Sequence, residues 1–150
     1  MKLSEILSPE RINLDVKATT KDGVLKELVK LLKLSTPAQK NLIATLAARE
    51  ELGSTGVGNG IAIPHCRSLV VSELVIVVGR SKKGINYQSM DRKRANLFFL
   101  IVAPPLGDPG RYLIALGKIA QVAGLICGDK RAKDIKQRKQ FLDLVKELEE

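Results

Sequence analysis

Arg49-Glu-Glu-Leu-Gly-Ser-Thr-Gly-Val-Gly-Asn-Gly-Ile-Ala-Ile-Pro-His65-Cys-Arg67 is the stretch on which the reading of this chain turns. Glycines and small polar residues run into a short apolar segment, then Pro64, then the single histidine of the sequence. Imidazole titrates near neutral pH and is a nucleophile that can carry a covalent group. Pro64 fixes its own φ and restricts Ile63 to extended geometry, so His65 is launched from a stiff strand end. Fixed orientation of this kind is what covalent chemistry needs. A surface or capping histidine without chemistry fits the same spacing. Arg49 and Arg67 can offer forked donors to a phosphate on His65, or stand as solvated arginines. Cys66 reads as a small filler beside the site.

The glycine-rich segment has two readings as well. Ser54, Thr55, Gly56, Gly58 and Gly60, closed by Pro64, can form a phosphate cradle, because glycine lets the backbone approach a ligand and successive N–H groups make an anion nest. A plain helix-to-strand loop is the alternative. No Gly-Lys-Ser/Thr follows, so the loop is not a Walker A motif. It precedes a strand, whereas the dinucleotide fingerprint follows one.

Working outward, Ile12 to Val16 alternates apolar and polar residues as a half-buried strand does. Thr20 opens a helix with Val24, Leu25, Leu28, Leu31 and Leu32 on one face. Ser35-Thr-Pro-Ala-Gln39 is a helix start, read with Thr36 as cap and Pro at the first position, for a helix reaching about Glu50. Strand Ile61 to Ile63 follows the glycine loop. Leu74 to Val78 and Asn96 to Val102 are continuous apolar runs expected of buried strands. Tyr112 to Ile126 and roughly Ile135 to Leu148 read as helices. This order predicts an α/β fold: a single domain over residues 1–150, with a mixed central sheet of about five strands flanked by helices on both faces.

The sequence has 150 residues, 45% of them hydrophobic, enough for one real core. Its formal charge of +9 favours anionic partners. With 3% aromatic residues and no Trp, a base-stacking platform is not expected. The two cysteines, Cys66 and Cys127, make neither a disulfide framework nor a zinc set, so no metal and no cofactor are expected. No signal-peptide pattern opens the chain, and no uninterrupted apolar run is long enough for a bilayer. A cytoplasmic location without membrane insertion is the expectation.

At Glu50, then Val57-Gly58, then Ile61-Ala62-Ile63-Pro64-His65-Cys66, the chain resembles the EIIA domain of the phosphoenolpyruvate-dependent phosphotransferase system. The resemblance is to the fructose/mannitol class, and Gly53 to His65 is close to its nitrogen-regulatory type. The resemblance extends over nearly the whole chain. It implies a cytoplasmic phosphocarrier in which His65 accepts a phosphoryl group from the phosphohistidine of HPr or its nitrogen-branch paralogue. His65 then passes the group to an EIIB protein or holds it as a signal to a regulatory target. Arg49 would help bind the phosphoryl group. In-line transfer between imidazoles needs alignment and donors around the phosphoryl oxygens more than acid–base work.

One departure from the family pattern bears on mechanism. Where a second histidine is usual, in a His-Leu pair opening a helix, this chain has Tyr112-Leu113. A phenol can donate one hydrogen bond to a phosphoryl oxygen but cannot exchange a proton near pH 7. Tyr112 is therefore a second-site donor or simply a half-buried helix-start aromatic. Basic tracts at 80–94 and 129–140 read as docking faces for an acidic partner or as solvated surface. No nucleic-acid-binding motif accompanies them. Three functional readings follow. They are a regulatory phosphocarrier, a sugar-specific EIIA feeding a fructose/mannitol EIIB, and a binding regulator whose phosphorylation is impaired by Tyr112.

Overall fold

The computed structural model describes residues 1–149. Its centre is an antiparallel pair, β5 (Val75–Ile85) and β6 (Ala95–Ala103), in which Val75 faces Val102 and Arg80 faces Leu97. From Leu97 to Ala103 the side chains of β6 alternate between two apolar cores. Leu97, Phe99, Ile101 and Ala103 face one way, and Phe98, Leu100 and Val102 the other. The first core is closed by α1 (Leu3–Ile6), α4 (Pro109–Cys127) and α5 (Arg138–Leu148). The second is closed by α2 (Lys21–Lys30) and α3 (Thr36–Glu51).

The short β1 (Ile12–Asn13) lies parallel to β5 on one side. On the other side of β6, β3 (Ile61–Ala62) and β4 (His65–Arg67) lie parallel to it. Ile61 pairs with Leu97 and His65 with Ile101, the same offset, so β3 and β4 are one strand broken at Ile63-Pro64. The proline has no amide hydrogen for the ladder, but its carbonyl still accepts from Ile101 N at 3.0 Å. The edge strand β2 (Gly56–Gly58) runs antiparallel to β3. The sheet is therefore mixed, with helices on both faces, as expected. Six strands occupy five ladder positions, because β3 and β4 share one.

Several boundaries differ from the sequence reading. The cap of α3 is Ser35, whose hydroxyl accepts from Ala38 N, and Thr36 is already helical. The strand expected over Ile12–Val16 stops at Asn13. There the Asn13 side chain accepts from Asp15 N and turns the chain out of the ladder. β5 runs on to Ile85, because Ile85 still pairs with Ala95 across a bulge. The four-residue α1 and the edge strand β2 were not anticipated. α4 is long and apolar enough to cross a membrane by length and composition alone. Arg111 and Lys118 interrupt it, and Ala115, Ile119, Val122, Ala123 and Ile126 pack against the sheet.

Gly56 brings β2 against the backbone of Ser89. A Cβ at position 56 would stand 2.3 Å from Ser89 Oγ and 2.9 Å from Ser89 Cα. Gly56→Ala is expected to destabilise the protein by about 1–3 kcal/mol through overpacking. Urea unfolding should show this as a lower midpoint at unchanged slope.

Candidate functional site

Because β3 and β4 keep one register against β6, side-chain parity places His65. Ile61 and Ile63 enter the α4-side core, and Cys66 enters the α2/α3-side core. His65 thus projects, half-buried, on the α4 face. The first turn of α4 brings Tyr112 beside it, with ring centroids 6.3 Å apart and planes tilted by 53°. Asp108 caps this helix by accepting from Gly110 N at 2.8 Å.

The imidazole is held by its own strand. His65 Nδ1 lies 2.6 Å from the carbonyl oxygen of Ile63. A carbonyl only accepts, so Nδ1 carries the hydrogen, and in neutral imidazole the free lone pair belongs to Nε2. Pro64, between the two residues, has a fixed φ and so restricts where this carbonyl can stand relative to the ring.

Behind Ile63 stands a buried polar chain. Ile63 N donates to Thr55 O at 3.0 Å. Thr55 N donates to Glu50 Oε1 at 3.0 Å, and Thr55 Oγ1 donates to Glu50 Oε2 at 2.5 Å. Lys21 Nζ lies 3.0 Å from Glu50 Oε1 and 4.6 Å from the centroid of the Tyr87 ring. The Tyr87 hydroxyl approaches Thr55 Oγ1 at 3.3 Å. Burial pushes the Tyr87 phenol well above its ordinary pKa. Each polar atom of the Glu50 carboxylate therefore meets a donor, which is what makes a buried carboxylate tolerable.

The two arginines come from different elements. Arg49, in the last turn of α3, donates from Nη1 to Gly53 O at 2.9 Å. Arg67 stacks its guanidinium 5.1 Å from the Tyr112 ring centroid. Burial is the main reason the Tyr112 phenol titrates high, at about 12, with Cys66 adding to the rise while Arg67 and Arg49 pull it down. Both guanidinium charges are thus felt at Tyr112. The phenol stays protonated at neutral pH and can donate. Burial alone pushes the Cys66 thiol up to about 11, in keeping with a filler role.

The structure divides the glycine segment. Ser54, Thr55 and Gly56 lie toward His65, but both hydroxyls are engaged inward. Ser54 Oγ donates to Tyr87 O at 2.8 Å, and Thr55 Oγ1 binds Glu50. Gly58, Asn59 and Gly60 form the tip of the β2–β3 hairpin, with φ of 96°, 56° and 80°. This tip lies beside Asn96 and Leu97, whose amides donate to Gly60 O. From there to Ile101 is four residues of extended chain, about 13 Å. Gly58 and Gly60 serve the turn at the far end of the sheet and do not cradle a group on His65. Glu50 and the Ile63 carbonyl were absent from the sequence-based site, and Thr55 was expected there as part of a phosphate cradle rather than as the partner of Glu50. Their pairing crosses elements and has no short spacing to betray it.

The chain is similar to known proteins of one family. The family model described as "Phosphoenolpyruvate-dependent sugar phosphotransferase system, EIIA 2" matches residues 5–149. A nitrogen regulatory protein of Bradyrhizobium diazoefficiens is 32% identical over 123 residues, covering 81% of this chain and 80% of that protein. A PTS system fructose-specific EIIABC component of Bacillus subtilis is 38% identical over 125 residues, 80% of this chain but only 19% of that longer protein. The crystal structure of nitrogen regulatory protein IIA-Ntr from Neisseria meningitidis superposes with a TM-score of 0.81 at 26% identity, covering 95% of this chain and 98% of that one.

The two tyrosines make the site's burial measurable. Unfolded chain should show phenolate absorbance rising near pH 10, whereas folded protein should show the Tyr112 step near 12 and the Tyr87 step higher still. A raised folded pKa means that the unfolded state loses its proton first, so stability is full below pH 10 and falls as pH rises toward 12. Tyr112→Phe should remove the earlier step and lessen that fall.

Proposed function

Because the chain belongs to the EIIA type 2 family of the phosphoenolpyruvate-dependent sugar phosphotransferase system, we propose that it is a phosphocarrier working through His65 and used for regulation. The phosphoryl donor in this reading is the phosphohistidine of HPr or of its nitrogen-branch counterpart. The Nε2 lone pair of His65 attacks phosphorus while the N–P bond of the donor breaks, and the donor imidazole leaves with that electron pair. The contact between His65 Nδ1 and Ile63 O at 2.6 Å carries this reading. It fixes the tautomer that exposes Nε2, and it holds the Nδ1 hydrogen as the ring gains positive character on phosphorylation. No general base is needed, because the acceptor atom bears no proton.

Arg49 and Arg67 supply charge to the phosphoryl oxygens, and the Tyr112 hydroxyl supplies one donor. Leu106, Leu113 and Ile114 lie near or beside Tyr112 and are 81%, 64% and 53% exposed. Beside them, Arg67, Pro104, Arg111 and Tyr112 help line a hollow of about 230 Å³. An apolar rim with cationic members suits the docking of a carrier protein around its phosphohistidine.

A regulatory output in the cytoplasm is favoured by the nitrogen regulatory relative, which matches along most of its own length. Delivery to an EIIB protein is the competing output, supported by the fructose-specific relative. Phosphotransfer from phosphoenolpyruvate through Enzyme I and HPr tests the common step. Wild type should acquire an acid-labile, base-stable label, and His65→Ala should acquire none. Arg49→Gln should slow labelling roughly 10- to 100-fold, the loss of one charge-assisted donor. Tyr112→His should fold normally and label faster. Failure of wild type to label with HPr and its nitrogen-branch counterpart would leave the purely binding regulator as the reading. Chasing the label onto an added EIIB separates sugar delivery from regulation.

A further inference from the structure

One hollow of the molecule lies well away from His65. It encloses about 530 Å³ between the β2–β3 hairpin tip, the middle of β5 and the C-terminal end of α4. Its position at Leu97 is about 13 Å along β6 from the partner of His65. Along α4, Cys127 is fifteen residues, about 22 Å, from Tyr112. The volume falls within the range of small-molecule sites, about 300–1,000 Å³.

The lining has two characters. Its floor is apolar: Ile61, Leu97, Ile126 and Phe141, all from the α4-side core. Its rim is cationic: Arg80, Lys82 and Lys133. Among the described residues no carboxylate lies within ion-pair distance of these three. The one acid on the rim, Asp129, is already bound to Arg131 at 2.8 Å. Arg80 is the most withdrawn of the three. Its Nε donates to Leu14 O at 3.2 Å and its Nη1 to Ala132 O at 3.0 Å, which fixes the guanidinium plane at the mouth of the hollow. Both hydrogen-bond partners of Arg80 are neutral, and Asp15, the carboxylate whose charge reaches it, is already paired with Lys17 at 2.6 Å. A partly buried, rigidly held cation of this kind above an apolar floor is an incomplete ion pair.

We propose that this cavity is a ligand site, separate from the His65 face, for a small amphipathic organic anion. The ligand's hydrocarbon body would lie on Leu97, Ile126 and Phe141. Its carboxylate or phosphate head would meet Arg80, with Lys82 and Lys133 at the entrance. The charge-bearing residues explain part of both basic tracts, which the phosphoryl site leaves unused.

Octanoate and its neutral analogue octanamide test the proposal on the full chain. Titration followed by backbone amide shifts should saturate with octanoate in the submillimolar range, with shifts centred on Gly60, Ser81, Lys82 and Cys127. Cys127 borders the cavity and is exposed, whereas Cys66 is buried. Octanoate should therefore slow alkylation of Cys127. Octanamide should bind about tenfold more weakly or worse. The surface double variant Lys82→Glu/Lys133→Glu should lose octanoate affinity by a similar factor while keeping its phosphorylation rate at His65. That separates this site's failure from failure of the carrier reading. Arg80→Lys keeps the charge but not the fork, and should weaken binding several-fold. Unsaturable shifts, shifts centred on Tyr112 and Leu113, equal binding of octanamide, or undiminished affinity in the double variant would each overturn the proposal.

Discussion

Everything in this fold is hung on the requirement that β6 bury both rows of its side chains. Leu97, Phe99 and Ile101 need one apolar cover, and Phe98, Leu100 and Val102 need another. A sheet with two buried faces has to be a three-layer structure, and the helices distribute accordingly. Register against β6 then becomes a chemical matter. A one-residue slip of the Ile61–Arg67 segment would turn His65 into the α2/α3-side core and put Cys66 on the α4 face. The apolar residues Ile61 and Ile63 hold that register, because slipping would take them out of the α4-side core and bury the imidazole in the other.

The break at Ile63-Pro64 converts this register into a reactive geometry. In a continuous strand, the Ile63 carbonyl would have no reason to meet the ring two residues on. With the ladder interrupted, the carbonyl approaches Nδ1 at 2.6 Å while Pro64 keeps its own carbonyl bonded to Ile101. The amide of Ile63 is tied in turn to Thr55, and Thr55 to the buried Glu50–Lys21 pair. Two layers are coupled through this chain: α2 and α3 on one face hold the backbone that aims a side chain on the other. Such an arrangement suits phosphoryl transfer, where orientation and charge dominate and little proton traffic is required.

α4 connects the two regions of chemical interest. Nineteen residues at about 1.5 Å each make a rigid bar of about 28 Å. Its first turn presents Tyr112 to His65, and its last turn closes the cationic hollow. The helix is apolar beyond what its packed face requires, since Leu113, Ile114 and Leu125 remain exposed. Excess apolar surface on one element is a sign of contact with partners rather than with the protein's own core.

The sequence by itself determined the layer order, the two central strands, the placement of most helices and the identity of the lone histidine. These rest on period-2 and period-3.6 apolar patterns and on turn residues, all of which are local. It put the cap of α3 at Thr36 rather than Ser35, because both are hydroxyl residues before a proline and only the fold tells them apart. It could not divide the glycine segment either. Gly56 and Gly60 are four residues apart and chemically identical, yet one stands toward His65 and the other turns the far end of the sheet. Only the tertiary structure decided that division, together with the tautomer of His65, the proximity of Tyr112 and Arg67, and the hollow that gathers Arg80, Lys82 and Lys133. Each of these depends on where residues distant in sequence meet, and such meetings are set by strand register and helix packing, which no short spacing encodes.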